Sequence, residues 1–219
     1  MFTLTSFALL VAFSNGFTNL TVSVDGVNKT LYVNYDYYTN ATTLKMPSSS
    51  GTYLSTTPYI DVNTYFKPNL LGGSVEYDVN LSTRNCGCVA AFYLVKSPGK
   101  DANGNLWATD NTYYCDANAY KGNYCPEFDI MEANIWSFMS SPHACPPPTA
   151  NGFYSSCDGV GGCGQNSVKK LAYYDYGFGT NFKINTQNEF HVKLDFGAST
   201  TSFGNFTTII SQGLNTIQM

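Results

Sequence analysis

At 219 residues the chain has single-domain length, and its 43% hydrophobic, 16% aromatic and 12% charged residues exclude a disordered polypeptide. Eleven basic against fifteen acidic residues give a net charge of −4, which leaves no basic footprint for nucleic acid. Seventeen Tyr and nineteen Gly, with so few charges, lean towards strands and turns rather than helices.

The chain opens with MFTLTSFALLVAFSNG, whose apolar run from Phe7 to Phe13 has signal-peptide length and is too short to span a bilayer. Residues 1–16 are therefore expected as a secretory leader, the alternative being an internal strand. Residues 17–219 are expected as one secreted, monomeric β-sandwich domain with no membrane partner. Five N-x-[ST] sequons, at Asn19, Asn28, Asn40, Asn80 and Asn205, agree with secretion and are candidate glycosylation sites.

LTVSVDGVNKTLYVNYDYY (Leu20 to Tyr38) reads as two strands around an Asp25-Gly26 turn. In SVEYDVNL, Val75, Tyr77, Val79 and Leu81 alternate against Ser74, Glu76, Asp78 and Asn80, which predicts a strand with one wet face. CVAAFYLV (Cys88 to Val95) is continuously apolar and is expected to be covered on both faces. The segment 140–179, rich in Pro, Gly and Cys, is expected as a stapled loop. EFHVKLDF puts Phe190, Val192, Leu194 and Phe196 on one face, with His191 a surface residue, and NFTTIISQGLNTIQM closes the chain as a strand pair. No segment has useful 3.6-residue periodicity. Repeated short strands with turn signals predict an all-β sandwich.

The seven cysteines, Cys86, Cys88, Cys115, Cys125, Cys145, Cys157 and Cys163, read as disulfides with at least one left over. Paired C-x-x-C knuckles are absent, so no metal site is expected, and no cofactor either.

CPEFDIMEAN gathers Glu127, Asp129 and Glu132 at i, i+2 and i+5. On a helix Asp129 and Glu132 would point about 200° and 140° round from Glu127, so the three could not converge. On a regular strand Glu127 and Asp129 share a face and Glu132 points away. One extra residue in a β-bulge near Ile130–Met131 returns Glu132 to that face, while Phe128 and Ile130 anchor the strand in the core. Long Glu side chains on a bent strand can then approach the ~5–5.5 Å carboxyl separation of a retaining glycosidase. Close carboxylates resist ionising together, so one is expected to be pushed up in pKa and to serve as the acid. A solvated acidic strand and a calcium loop are the alternatives, the latter short of oxygen ligands.

CPEFDIMEANIWSFMSSPHAC closely resembles the catalytic strand of glycoside hydrolase family 7, the fungal-type cellulases, with E-x-D-x-x-E-A-N followed by P-H-x-C. LLGGSVEYDVNLSTRNCGCVAAFYLV, YYCDANAY, CDGVGGCGQN and YGFGTNFKINTQNEFHVKLDF are similar to further segments of that family, so the likeness covers about Leu70 to Phe196. The wider clan, including family 16 β-glucanases, shares the bulged motif, whereas P-H-x-C and the cysteines favour family 7. The resemblance implies a concanavalin A-like β-jelly roll of two antiparallel sheets, acting on cellulose-like β-1,4-glucan by double displacement. Carried over by motif, Glu127 is the nucleophile, Asp129 its orienting partner and Glu132 the general acid/base. His143 lines the site, and Trp107 and Trp136 are candidates for stacking on sugar. The same motifs imply the pairs Cys115–Cys125 and Cys145–Cys157.

The chain departs from the family in a shortened start, in Tyr124 at a position usually held by Cys, and in continuing less far beyond the site. The remaining cysteines thus suggest either a truncated product or a compact branch in which Cys163 pairs with Cys86 or Cys88. Rival functions are a β-1,3 or mixed-linkage glucanase or transglycosylase of the same clan, and a non-catalytic glucan-binding cell-wall protein.

Overall fold

A computed structural model describes residues 17–34, 38–46, 51–59, 61–107, 112–197 and 203–219. The expected leader over 1–16 lies outside the described residues, as does the side chain of Asn40. In chain order the elements are β1 (Phe17–Val24), β2 (Val27–Asn34), β3 (Tyr38–Asn40), β4 (Thr43–Leu44), β5 (Ser74–Val79), β6 (Ala90–Val95), β7 (Glu127–Ala133) and β8 (Phe138–His143). They continue with β9 (Gln165–Asn166), α1 (Ser167–Lys170), β10 (Tyr176–Gly177), β11 (Ile184–Asn185), β12 (Phe190–Asp195), β13 (Thr207–Gln212) and β14 (Asn215–Gln218). Among the described residues the one helix is a single turn, so the fold is all-β.

Two four-stranded antiparallel sheets face each other, ordered β14-β13-β12-β5 and β6-β7-β8-β9. Val192, Ile210 and Ile217 from the first sheet meet Met131, Ala133 and Phe138 from the second, with Leu81, Ile184 and Phe190 closing one end. A continuous patch packs Val75, Leu194 and Phe196 against Ile130. Burial of these faces drives the layering, since each sheet has a single apolar side to hide.

The period-2 readings of β5 and β12 hold. Val75, Phe190, Val192, Leu194 and Phe196 are buried, while Asp78 and Asn80 are exposed. His191 sits outside, within ion-pair reach of Asp78 and Glu76. Asp25 (φ 52°) and Gly26 (φ 77°) make the β1–β2 hairpin turn, whose two positive φ values suit an Asp-Gly pair. That hairpin keeps its own apolar cluster of Leu20, Val22, Leu31 and Val33.

Two expectations are corrected. β6 is not covered on both faces: Ala91 and Tyr93 alternate outward, Tyr93 at 38% exposure. Apolar composition there reflects a tyrosine-lined open face, not double burial. The segment 140–179 is not wholly loop either, because β8 runs through to His143 and β9 and α1 follow.

Both implied disulfides, Cys115–Cys125 and Cys145–Cys157, are formed. Cys86, Cys88 and Cys163 are free and exposed. Pairing of Cys163 with Cys86 or Cys88 is ruled out by register. Cys88 precedes the β6 end that meets Ala133, and Cys163 precedes β9, whose Gln165 meets Ser140. These are opposite edges and opposite ends of one sheet, with three strand spacings of ~4.8 Å between the edges. A disulfide needs Cα atoms within about 7 Å.

Candidate active site

The predicted bulge is present. Asp129 pairs with Ser141 and Glu132 with Met139, so Ile130 and Met131 together stand opposite Ser140. On the other side Phe92 faces Met131 and Tyr93 faces Asp129, which passes over Ile130. Side-chain alternation therefore slips by one: Ile130 and Met131 both enter the core, at 0% and 5% exposure, and Glu132 joins Glu127 and Asp129 on the opposite face. Ser140 is wholly buried; its Oγ donates to the Ile130 carbonyl at 2.8 Å and meets Thr208 Oγ1 of the facing sheet at 3.0 Å. One hydroxyl thus holds the irregular backbone that the acids need.

Cross-strand neighbours complete the face. Val95, Tyr93 and Ala91 flank the acids on β6, and His143, Ser141 and Met139 flank them on β8. His143 is 6% exposed, with Nε2 2.8 Å from Asp129 Oδ2 and Nδ1 2.7 Å from the Asp158 carbonyl oxygen. A carbonyl only accepts, so Nδ1 carries a proton. The Nε2–Oδ2 contact then also holds one proton, as imidazolium facing carboxylate or as neutral imidazole facing carboxylic acid.

The electrostatics agree. Burial, then the charges of Glu127 and Glu132, raise the Asp129 pKa to about 7, with His143 opposing. Burial opposes charge on the His143 ring, yet the Asp158 carbonyl and Asp129 outweigh it and the ring is raised. Burial also lifts Glu127, partly offset by the Ala117 N–H donated to its Oε2 at 3.0 Å. Among the carboxylates the large rise thus falls on Asp129, which pairs with His143, and this corrects the expectation that the pushed-up carboxyl is the acid. Ala117 is positioned by the Cys115–Cys125 bridge and the backbone bond from Cys125 N–H to the Asp116 carbonyl.

The two candidate tryptophans have the following surroundings. Trp136 occupies the β7–β8 turn, 45% exposed and against Phe178 and Phe182. Trp107 lies in the loop beyond Lys100, its backbone N–H donated to the Gly99 carbonyl. The aromatic neighbours of the acids are Tyr93 and Tyr114, whose hydroxyls are 3.2 Å apart and whose phenols feel the charge of Glu127. Tyr114 extends this wall to Tyr53 and Tyr120. Sequence reasoning missed Tyr93 because β6 looked uniformly apolar; its place opposite Asp129 follows once the bulge fixes register.

No group of His, Cys, Asp and Glu able to hold a metal ion occurs among the described residues. Nor is any helix there long and apolar enough to cross a membrane. Asn19, Asn28, Asn80 and Asn205 are exposed.

The two antiparallel sheets form a β-sandwich of jelly-roll type, with three carboxylates and a histidine on the open face of one sheet. No family model matches the chain. The endo-β-1,4-glucanase celB of Aspergillus oryzae is 32% identical over 207 residues, covering 79% of this chain and 48% of that protein. Endoglucanase 1 of Humicola insolens is 29% identical over 199 residues, 77% and 48% of the two chains. Among solved structures, Humicola insolens Cel7B glycosynthase mutants match with a TM-score of 0.56 and 26% identity, over 70% of this chain and 44% of theirs. An endoglucanase I complexed with cellobiose shares the fold, with a TM-score of 0.60 and 22% identity over 94% and 52%. The chain spans about half the length of the curated relatives it matches, and its homologues are endoglucanases and cellulases.

Proposed function

We propose that the protein is a secreted, monomeric retaining glycoside hydrolase of family 7 that cleaves β-1,4-glucan. The observation that carries this reading is the register slip at Ile130–Met131, which sets Glu127, Asp129 and Glu132 on one open face beside a tyrosine wall. The similarity to endo-β-1,4-glucanases supplies the substrate class. Two disulfides and four exposed sequons support secretion.

In this reading Glu127 attacks the anomeric carbon as a carboxylate while Glu132 gives its proton to the departing glycosidic oxygen. Glu132 then takes a proton from water, which displaces Glu127 and returns the β-anomer. Asp129 stands between them. Sharing one proton with His143 spares Glu127 a second full negative charge nearby, and the Ala117 N–H fixes one Glu127 oxygen. Tyr93 and Tyr114 offer faces and hydroxyls to a sugar ring.

The test is hydrolysis of a soluble β-1,4-glucan by the unaltered protein and by Glu127→Gln, with the first-formed anomer read by NMR. The β-anomer is expected, and the variant should lose on the order of 10³-fold or more in rate. Undiminished turnover in Glu127→Gln overturns the assignment. Glucan binding without turnover in the unaltered protein selects the non-catalytic reading.

A further inference from the structure

The segment CDGVGGCG, from Cys157 to Gly164, has no side chain among the three acids, yet it abuts the histidine that serves them. Every polar group of Asp158 is engaged. Its N–H donates to the Ala144 carbonyl at 2.8 Å, and its carbonyl accepts from His143 Nδ1 at 2.7 Å. Its Oδ1 accepts from the N–H groups of Val160 and Gly161 at 3.0 and 3.2 Å, and its Oδ2 from Gly162 at 3.0 Å. The Cys145–Cys157 bridge ties the residue before Asp158 to the strand exit after His143.

The loop also fits closely over the ring. Gly161 has φ +67°, and a Cβ there would lie 2.9 Å from His143 Cε1 and 3.1 Å from Ser141 Cβ. A Cβ on Gly164 would reach 2.5 Å from Ser141 Oγ. Three converging N–H groups are thus spent on the one carboxylate whose own carbonyl faces the imidazole. In water neutral imidazole favours the tautomer with its proton on Nε2. The carbonyl demands the other one, which leaves Nε2 to share a proton with Asp129.

We infer that Asp158 is a positioning residue: its side chain clamps the loop so that its carbonyl holds the proton on His143 Nδ1 and keeps Nε2 for Asp129. The consequence for rate rests on the glycosidase reading; the consequence for the tautomer does not. The charged groups facing the ring are Asp129 and Glu127 from β7 and Asp158 itself from the loop. Loss of the clamp lengthens the carbonyl contact and lowers the affinity of the ring for a proton, so the alkaline limb of activity moves to lower pH.

The experiment compares Asp158→Ala with Asp158→Asn in the full chain. Both remove the charge, but Asn retains an acceptor oxygen for the loop N–H groups. Ring ¹⁵N NMR at alkaline pH reads the tautomer directly, because the chain has two histidines and His191→Gln assigns the other. The unaltered protein and Asp158→Asn are expected to carry the proton on Nδ1, and Asp158→Ala to shift towards Nε2. In glucan hydrolysis the alkaline limb of kcat/KM should fall by about one pH unit in Asp158→Ala, the scale of one hydrogen bond to a charged group, and by less than half that in Asp158→Asn. An unchanged tautomer in Asp158→Ala, or equal shifts in the two variants, overturns the proposal. Should Asp158→Ala fail to fold, Asp158→Ser, which keeps a single acceptor, takes its place and is expected to fall between them. If the unaltered protein hydrolyses no glucan, the functional reading fails while the NMR comparison still decides the clamp.

Discussion

At the scale of single residues, the site binds a proton near neutrality that the unfolded chain would release. Asp129, Glu127 and His143 all have pKa values raised on folding, by burial and mutual charge for the carboxyls and by the Asp158 carbonyl and Asp129 for the ring. A raised folded pKa means that the folded state holds the proton more tightly. Each group therefore contributes stability that is fully present below its unfolded pKa and lost as pH rises through the folded value. The opposite contributors, Glu76, Asp101, Asp158 and Asp175, are lowered carboxyls whose effect is lost only as pH falls through the acid range. Between about pH 5 and 8 the site groups decide the slope, and the urea midpoint should fall as pH rises. Asp129→Asn copies the protonated acid, its amide donating to Nε2, and should flatten that decline while depressing hydrolysis. A midpoint that climbs from pH 5 to 8 would remove the shared proton from this account.

At the scale of the strand, the bulge depends on a hydroxyl that reaches across the core. Ser140 Oγ serves the Ile130 carbonyl of β7 and meets Thr208 of β13, so one small side chain links the strand that bears the three acids to the facing sheet. Ser140→Ala leaves the Ile130 carbonyl unsatisfied at this buried site and should cost about 1–3 kcal/mol. Thr208→Val alone should cost less, and the double variant less than the sum, since the pair shares one bond; urea denaturation of the four proteins measures it. A strictly additive cycle would show the two sheets to be independent here. The bulge was legible beforehand because three acids at i, i+2 and i+5 share a face in no regular element. The strands β5 and β12 were legible by alternation. Ser140 was not, because a buried serine on a strand looks like any other until register places it beneath an irregular carbonyl. Asp158 was hidden for a deeper reason: its contribution to His143 is a main-chain carbonyl, which every residue possesses. Tyr93 fell between these cases, visible as a residue but assigned to a doubly covered strand on composition alone.

At the scale of the molecule, cysteine placement separates what the fold staples from what it leaves open. Cys115–Cys125 braces the loop that brings Ala117 to Glu127, and Cys145–Cys157 braces the loop that brings Asp158 to His143. Both bridges close short segments beside the acids, and both were implied by motif. The other three cysteines are unbridged: the β6 and β9 edges hold Cys163 apart from Cys86 and Cys88, at the opposite end of the sheet. Register therefore sets an accessible thiol count that composition could not. A thiol-reactive disulfide reagent applied to the native full chain should titrate three thiols per chain, with four more appearing only after denaturation and reduction. In a Cys163→Ser background, alkylating Cys86 and Cys88 should leave hydrolysis within about twofold, because both lie outside the loop that holds His143. Reduction should instead act through Ala117 and Asp158. Breaking Cys145–Cys157 should shift the alkaline limb in the same direction as Asp158→Ala, whereas breaking Cys115–Cys125 should chiefly lower kcat by loosening the donor to Glu127. Cys→Ser pairs made separately distinguish the two. A single native thiol would mean a third bridge among Cys86, Cys88 and Cys163. Peptide mapping that joined Cys163 to Cys86 or Cys88, rather than Cys86 to Cys88, would show the strand order β6-β7-β8-β9 itself to be wrong.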